Sequence, residues 1–167
     1  MALSLDEGCG RVQTFARTAH DRGNKVMLIG NGGSAAIASH LANDFARTAG
    51  LRAQAFNDAT ALTCFGNDFG YERVFSGQLE FHARAGDVLI AISSSGRSPN
   101  ILEGVACARA RNCAVITFSG FAPDNPLRGS GDINYYVRSN EYGLVEVSHL
   151  ALCHAIIDLT RDGAAAS

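Results

Sequence analysis

The segment Lys25-Val26-Met27-Leu28-Ile29-Gly30-Asn31-Gly32-Gly33-Ser34 runs an unbroken apolar stretch into a cluster of glycines, and Ala35-Ala36-Ile37-Ala38-Ser39-His40-Leu41-Ala42-Asn43-Asp44-Phe45 follows it. An apolar run without polar alternation, bounded by turn residues, is the pattern of a strand buried on both faces of a parallel sheet. The alanine-rich continuation is made of good helix formers, with Ser34 as the expected N-cap. The unit is strand, glycine-rich loop, helix.

Outward from that unit the same order recurs. Asp87–Ile92 reads as a second strand, and Ser93-Ser94-Ser95-Gly96-Arg97-Ser98 opens a helix through about Arg111, with Pro99 tolerated in its first turn. Cys113–Phe118 and Ile133–Val137 read as further strands, Arg52–Phe56 as a weaker one, and residues 119–131 as a Gly/Pro/Asp-rich loop. Residues 5–22 form an amphipathic helix stopped at Gly23. Residues 59–66 and 71–82 form short helices around Asn67-Asp68-Phe69-Gly70, and a last helix runs from Gly143 to Leu159. Strands alternating with helices imply right-handed crossovers. The expected fold is α/β: a doubly wound, flavodoxin-like three-layer αβα sandwich on a five-stranded parallel sheet. A single domain over residues 1–162 uses nearly the whole chain, with a frayed tail at 163–167.

Composition narrows the function classes. With 167 residues, 47% hydrophobic and 18% charged, the chain can bury a core and is not of the charge-rich, apolar-poor disordered type. A net charge of −2 with scattered basic residues gives no footprint for nucleic acid. No run approaches the roughly 18 apolar residues of a membrane span, and Met1-Ala2-Leu3-Ser4-Leu5-Asp6-Glu7 lacks the features of a signal peptide, so no membrane partner and a cytoplasmic location are expected. Cys9, Cys64, Cys107, Cys113 and Cys153 show no CxxC pair and read as reduced. A charged fraction below the usual ~25% leaves apolar surface to hide, which points to an oligomer.

Ligands of open parallel sheets bind beyond the carboxyl ends of the strands. Both polar loops lie there. Ser93, Ser94, Ser95 and Ser98 supply hydroxyls at a helix start whose N–H groups and dipole favour an anion, a cradle suited to a phosphomonoester. Gly30-Asn31-Gly32-Gly33-Ser34 matches neither GxGxxG nor GxxxxGK[ST], so no nucleotide is indicated; it is either a tight turn or a loop offering Asn31 and Ser34 to substrate. His40 and Asp44 share one face of the second helix, and Glu146, His149 and His154 stand among apolar residues of the last. Each histidine is either a hydrogen-bonded core residue or part of a His/carboxylate site. Arg97 either adds a cation for phosphate or is solvated.

Five motifs in register carry a resemblance: Gly30-Asn31-Gly32-Gly33-Ser34, His40-x-x-x-Asp44, Gly66-Asn67-Asp68-Phe69-Gly70, Gly86-Asp87-Val88-Leu89 with Ile92 to Ser98, and the helix holding His149 and His154. Together they resemble the sugar isomerase (SIS) domain, specifically the phosphoheptose isomerases, over about residues 11–160. The resemblance implies an aldose–ketose isomerase working through an enediol on sedoheptulose 7-phosphate or a related heptulose or octulose phosphate. It implies a homotetramer with active sites at subunit interfaces, and often zinc. Carried over by position, Ser34, Ser93, Ser95 and Ser98 would hold phosphate, with Ser94 in the same loop. Asn31, Asp68 and Asp58 would hold sugar hydroxyls, with Gly32 and Asn67 beside them. Asp44 would be the general base and His154 its acid partner, while His40, Asp44, Glu146 and His154 would form the metal set, with Glu146 also facing substrate. The family pattern has Glu at the place of Asp44 and Gln at that of Glu146. A second implied reading is non-catalytic: a scaffold similar to the DnaA initiator-associating protein, which shares the Ser34-Ala35-Ala36 helix start, or a phosphosugar sensor. His154 speaks against the scaffold.

Overall fold

The structure, a computed structural model that describes residues 4–165, is a five-stranded parallel sheet with helices on both faces. In chain order the elements are α1 (Leu5–Asp21), β1 (Val26–Gly30), α2 (Gly33–Arg47), β2 (Ala53–Ala55), α3 (Ala59–Phe69), a 3₁₀ turn Tyr71–Arg73, α4 (Ser76–His82), β3 (Val88–Ser93), α5 (Pro99–Ala110), β4 (Ala114–Ser119), a 3₁₀ turn Pro126–Gly129, β5 (Ile133–Tyr136) and α6 (Tyr142–Ala165). Ala166 and Ser167, the end of the expected frayed tail, lie outside the described residues. Strand order is β2-β1-β3-β4-β5, with Val26 beside Val88 and Val88 beside Ala114.

Period-two alternation divides the core. Val26, Leu28, Val88, Ile90 and Ile92 face α1, α2 and α6, while Met27, Ile29, Leu89 and Ala91 face α4 and α5. Both faces of β1 and β3 are therefore dry, which is why these segments are uninterrupted apolar runs.

Four expectations shift. The helix of residues 59–66 continues through Phe69, so Asn67 and Asp68 sit in its last turn and not in a loop. The chain turns at Gly70, and residues 71–82 divide into a 3₁₀ turn and α4, because Val74 and Phe75 leave the helix pattern to bury against Met27 and Leu79. Gly32, not Ser34, caps α2, and no side chain accepts from its first turn. The stretch Tyr142–Arg161 of α6 is, by length and composition, apolar enough to cross a membrane, contrary to the expectation that no run would qualify. Part of its apolar side packs: Val145, Cys153, Ile156 and Ile157 are buried, the last three in one core cluster with residues of α1 and α2, while Leu144, Val147 and Leu159 are exposed.

Candidate active site

The sheet order reverses between β1 and β3, so the loops after these strands diverge and open a crevice at the sheet's carboxyl edge. A cavity of about 120 Å³ lies there, lined by Asn31 and Ser34 from the first loop, Ile92, Ser93, Ser94, Ser95 and Ser98 from the second, and Tyr142 and Glu146 from α6. The serine loop is held by its own bonds. Gly96 N–H donates to Ser93 Oγ (3.2 Å), Arg97 N–H to Ser95 Oγ (3.3 Å), and Ser93 Oγ lies 3.4 Å from Ser98 Oγ. Ser94 Oγ is buried with no hydrogen-bond partner among the described residues, a hydroxyl left over for a ligand. Neither Gly32, which has no side chain, nor Ser98 caps its helix through a side-chain hydrogen bond; the Ser34 and Ala35 N–H groups donate instead to the Asn31 carbonyl and the Ile101 N–H to that of Ser98.

Glu146 reaches across the cavity to α2. A Cβ at Gly33 would fall 2.4 Å from its Oε2, so only glycine admits the carboxylate there. Gly96 is constrained by a neighbour that sequence reasoning passed over. It holds φ +62, and a Cβ would lie 2.0 Å from Asn125 Oδ1. Asn125 itself is buried, donating to the carbonyls of Gly120 (3.0 Å) and Ala122 (2.8 Å) and accepting from Arg128 N–H (2.9 Å). Gly96→Ala is therefore expected to lower stability by about 1–2 kcal/mol from the left-handed backbone alone. It also displaces the loop, and calorimetry should show affinity for inorganic phosphate falling at least about tenfold, the loss of hydrogen bonds to a charged group.

A second cluster sits farther along the same helices. α2 and α6 lie side by side, and across their groove His40 Nε2 stands 3.3 Å from Asp44 Oδ2 and 3.3 Å from His154 Nε2, with His154 Nδ1 3.7 Å from Asp44 Oδ2. The imidazoles are half exposed and the carboxylate nearly covered. His40 and Asp44 meet because they are one turn apart on α2, whose other face buries Ile37, Leu41 and Phe45. One donor atom from each of the three lies within 4.8 Å of the others. Two imidazole nitrogens and a carboxylate oxygen are the donor types that zinc takes, so these three residues could hold such an ion.

Among the expected residues, Asn31, Ser34, Ser93, Ser94, Ser95, Ser98 and Glu146 come together in one cavity, and His40, Asp44 and His154 in the other cluster. Glu146, named in the implied metal set, stands outside that cluster. Asp58 caps α3, accepting from the Thr60 and Ala61 N–H groups, and Asn67 donates to Asp68 on an exposed turn; none of the three lines the cavity. Arg97 is spent on Asp124 (3.1 Å) at the surface. His149 is a core residue: fully buried, it donates through Nε2 to the Ser119 carbonyl (3.2 Å) and meets Phe118 edge-on, and burial pulls its pKa below the usual value. Tyr142, the first residue of α6, and Asn125, in the loop after β4, were not legible as site residues, since neither lies in the loops after β1 and β3 that mark the switch point.

Comparison with known proteins agrees with this geometry. The SIS domain family model matches residues 10–120. The phosphoheptose isomerase of Citrifermentans bemidjiense is 36% identical over 149 residues, covering 86% of this chain and 77% of that protein. That of Rhodospirillum rubrum is 38% identical over 167 residues, covering 96% and 86%. The solved structure of phosphoheptose isomerase GmhA from Neisseria gonorrhoeae superposes with a TM-score of 0.85 at 34% identity, covering 95% of this chain and 87% of that one. A hydroxyl cradle at the switch point, a His/Asp cluster between α2 and α6, and relatives alike over more than three quarters of their length place the chain in the SIS-domain family of phosphoheptose isomerases.

Proposed function

We propose that the chain is an aldose–ketose isomerase acting on sedoheptulose 7-phosphate or a related heptulose or octulose phosphate. The observation that carries this reading is the pairing of an anion cradle, built by the loop after β3 against the starts of α2 and α6, with a separate His/Asp cluster farther along those two helices. From Ser34 in the cradle to His40 is about 9 Å along α2 at 1.5 Å per residue. That offset suits a substrate whose phosphate and reacting carbonyl lie at opposite ends.

Asp44 takes a proton from C1 of the ketose while His154 gives one to the C2 carbonyl oxygen, leaving an enediol. Asp44 returns the proton to C2 as the C1 hydroxyl gives its own to His154, and the aldose results. Each transfer needs a group of the right protonation state held beside the reacting atom. Ser34, Ser93, Ser94, Ser95 and Ser98 bind phosphate; Asn31 and Glu146 face the sugar, with Gly32, Asp58, Asn67 and Asp68 at its margin. His40, Asp44 and His154 would hold zinc, whose contribution when bound is to polarise the carbonyl oxygen.

A cytoplasmic homotetramer with sites completed by a neighbour is part of this reading. Tyr142, Leu144 and Val147 are exposed around Glu146, and Phe69 and Tyr71 are exposed on the α3 side; such apolar surface is what a second copy covers. Incubation of metal-replete protein with sedoheptulose 7-phosphate in deuterated water should yield aldose phosphate with deuterium at C2. Absence of aldose with every seven- and eight-carbon ketose phosphate, while phosphate still binds, would make the protein a phosphosugar sensor.

A further inference from the structure

Asn100 occupies the first turn of α5, 1% exposed, and does not line the cavity. It forms a reciprocal amide pair with Asn31, which does: Asn31 Nδ2 donates to Asn100 Oδ1 (2.9 Å) and Asn100 Nδ2 donates to Asn31 Oδ1 (2.8 Å). The orientation of both amides is fixed from outside the pair. Tyr71 Oη donates to the same Asn31 Oδ1 (3.2 Å), and Asn100 Oδ1 also accepts from the Ile101 N–H (3.0 Å). An asparagine amide has two acceptor sites and two donor protons. On Asn31 both acceptor sites and one proton are therefore committed, and a single N–H remains.

We infer that Asn100 is a positioning residue: it locks Asn31 so that this side chain meets the ligand only as a donor, and it ties the loop after β1 to the start of α5, the two segments that wall the cavity. The signal in the sequence is a polar residue in the first turn of a helix whose neighbours Ile101, Gly104 and Val105 are buried. A substrate hydroxyl or carbonyl oxygen at Asn31 is read as an acceptor. Tyr71, exposed on the far side, completes the lock. The kinetic part of this inference rests on the isomerase reading; the side-chain part does not.

Two measurements test it. In wild-type protein labelled with ¹⁵N, the Asn31 side-chain amide should show one slowly exchanging proton, and Asn100→Ala should abolish that protection without lowering the protection of β1 and β3 backbone amides. Unchanged protection of the Asn31 amide overturns the lock whether or not the protein is an isomerase. In turnover of sedoheptulose 7-phosphate, Asn31→Ala and Asn100→Ala should each raise KM about fivefold, the worth of one net hydrogen bond, with kcat within about twofold. The double variant should match Asn31→Ala alone. Should Asn100→Ala not fold, Tyr71→Phe serves, with a rise of about two- to threefold that vanishes in the Asn31→Ala background. Multiplying effects, or a fall in kcat with KM unchanged, would assign Asn100 to a role independent of Asn31.

Discussion

Asp44→Asn is expected to lower turnover of the phosphosugar by at least about a hundredfold, within the range that a positioned acid or base contributes, while the protein stays folded. The amide keeps the shape of the side chain and removes its capacity to take a proton. Little packing is at stake, because the polar partners of Asp44 in the structure are His40 and His154, both half exposed. His154→Ala should give a loss of similar size through the other proton. Neither change touches the serine cradle, so calorimetric affinity for inorganic phosphate should stay within about twofold of wild type, where one net hydrogen bond would register as about fivefold. Asp44→Glu keeps a carboxylate, as in the family pattern, and should retain measurable turnover. Activity within tenfold of wild type in Asp44→Asn would remove the base from this position.

The parts of the architecture that were legible share one property: their local pattern is set by burial on both sides. Val26–Gly30 and Val88–Ser93 are uninterrupted apolar runs because helices cover both faces of the central strands, and the polar loops after them mark the switch point. The turn at Asn67-Asp68-Phe69-Gly70 was misread for the opposite reason. Asn and Asp favour turns locally, yet α3 continues to Phe69 with those side chains exposed, where backbone hydrogen bonding costs them nothing. For the site, i,i+4 spacing could bring His40 to Asp44, but only the packing of α2 on α6 brings in His154 and leaves Glu146 against Gly33. Asn100 carries only the faint mark of a polar residue in an otherwise buried first helical turn, its partner Asn31 lying 69 positions away, and Asn125 acts through a glycine's missing Cβ, which has no local signature.

Asp87, part of a motif by which the family resemblance is recognised, lies at the opposite end of the sheet from the active site, and its replacement should be the most damaging to stability. Its carboxylate is 1% exposed and gathers donors from segments that precede β1 and β3: the Lys25 ammonium at 2.7 Å, the Lys25 N–H and Asn24 Nδ2 at 3.0 Å, and the Arg84 N–H at 2.9 Å. Burial works against its charge, but these bonds, the Lys25 ammonium first, outweigh that penalty and hold the pKa below the ordinary aspartate value. Asp87→Ala leaves a mostly buried ammonium without its counter-ion, held only by the His82 carbonyl, and strands the Lys25 and Arg84 N–H groups, a loss of about 3–5 kcal/mol. For a domain of this size that lowers the melting temperature by roughly 6–20 °C. Lys25→Met combined with Asp87→Ala should lose less than Asp87→Ala alone, because no unpaired charge remains. A group whose pKa is depressed by folding contributes in full above its unfolded value of about 4 and loses that contribution as pH falls through the folded value. Urea unfolding between pH 3 and pH 7 should therefore show wild-type stability dropping on the acid side of this range more steeply than that of Asp87→Ala; parallel curves would show that the Asp87 charge contributes nothing.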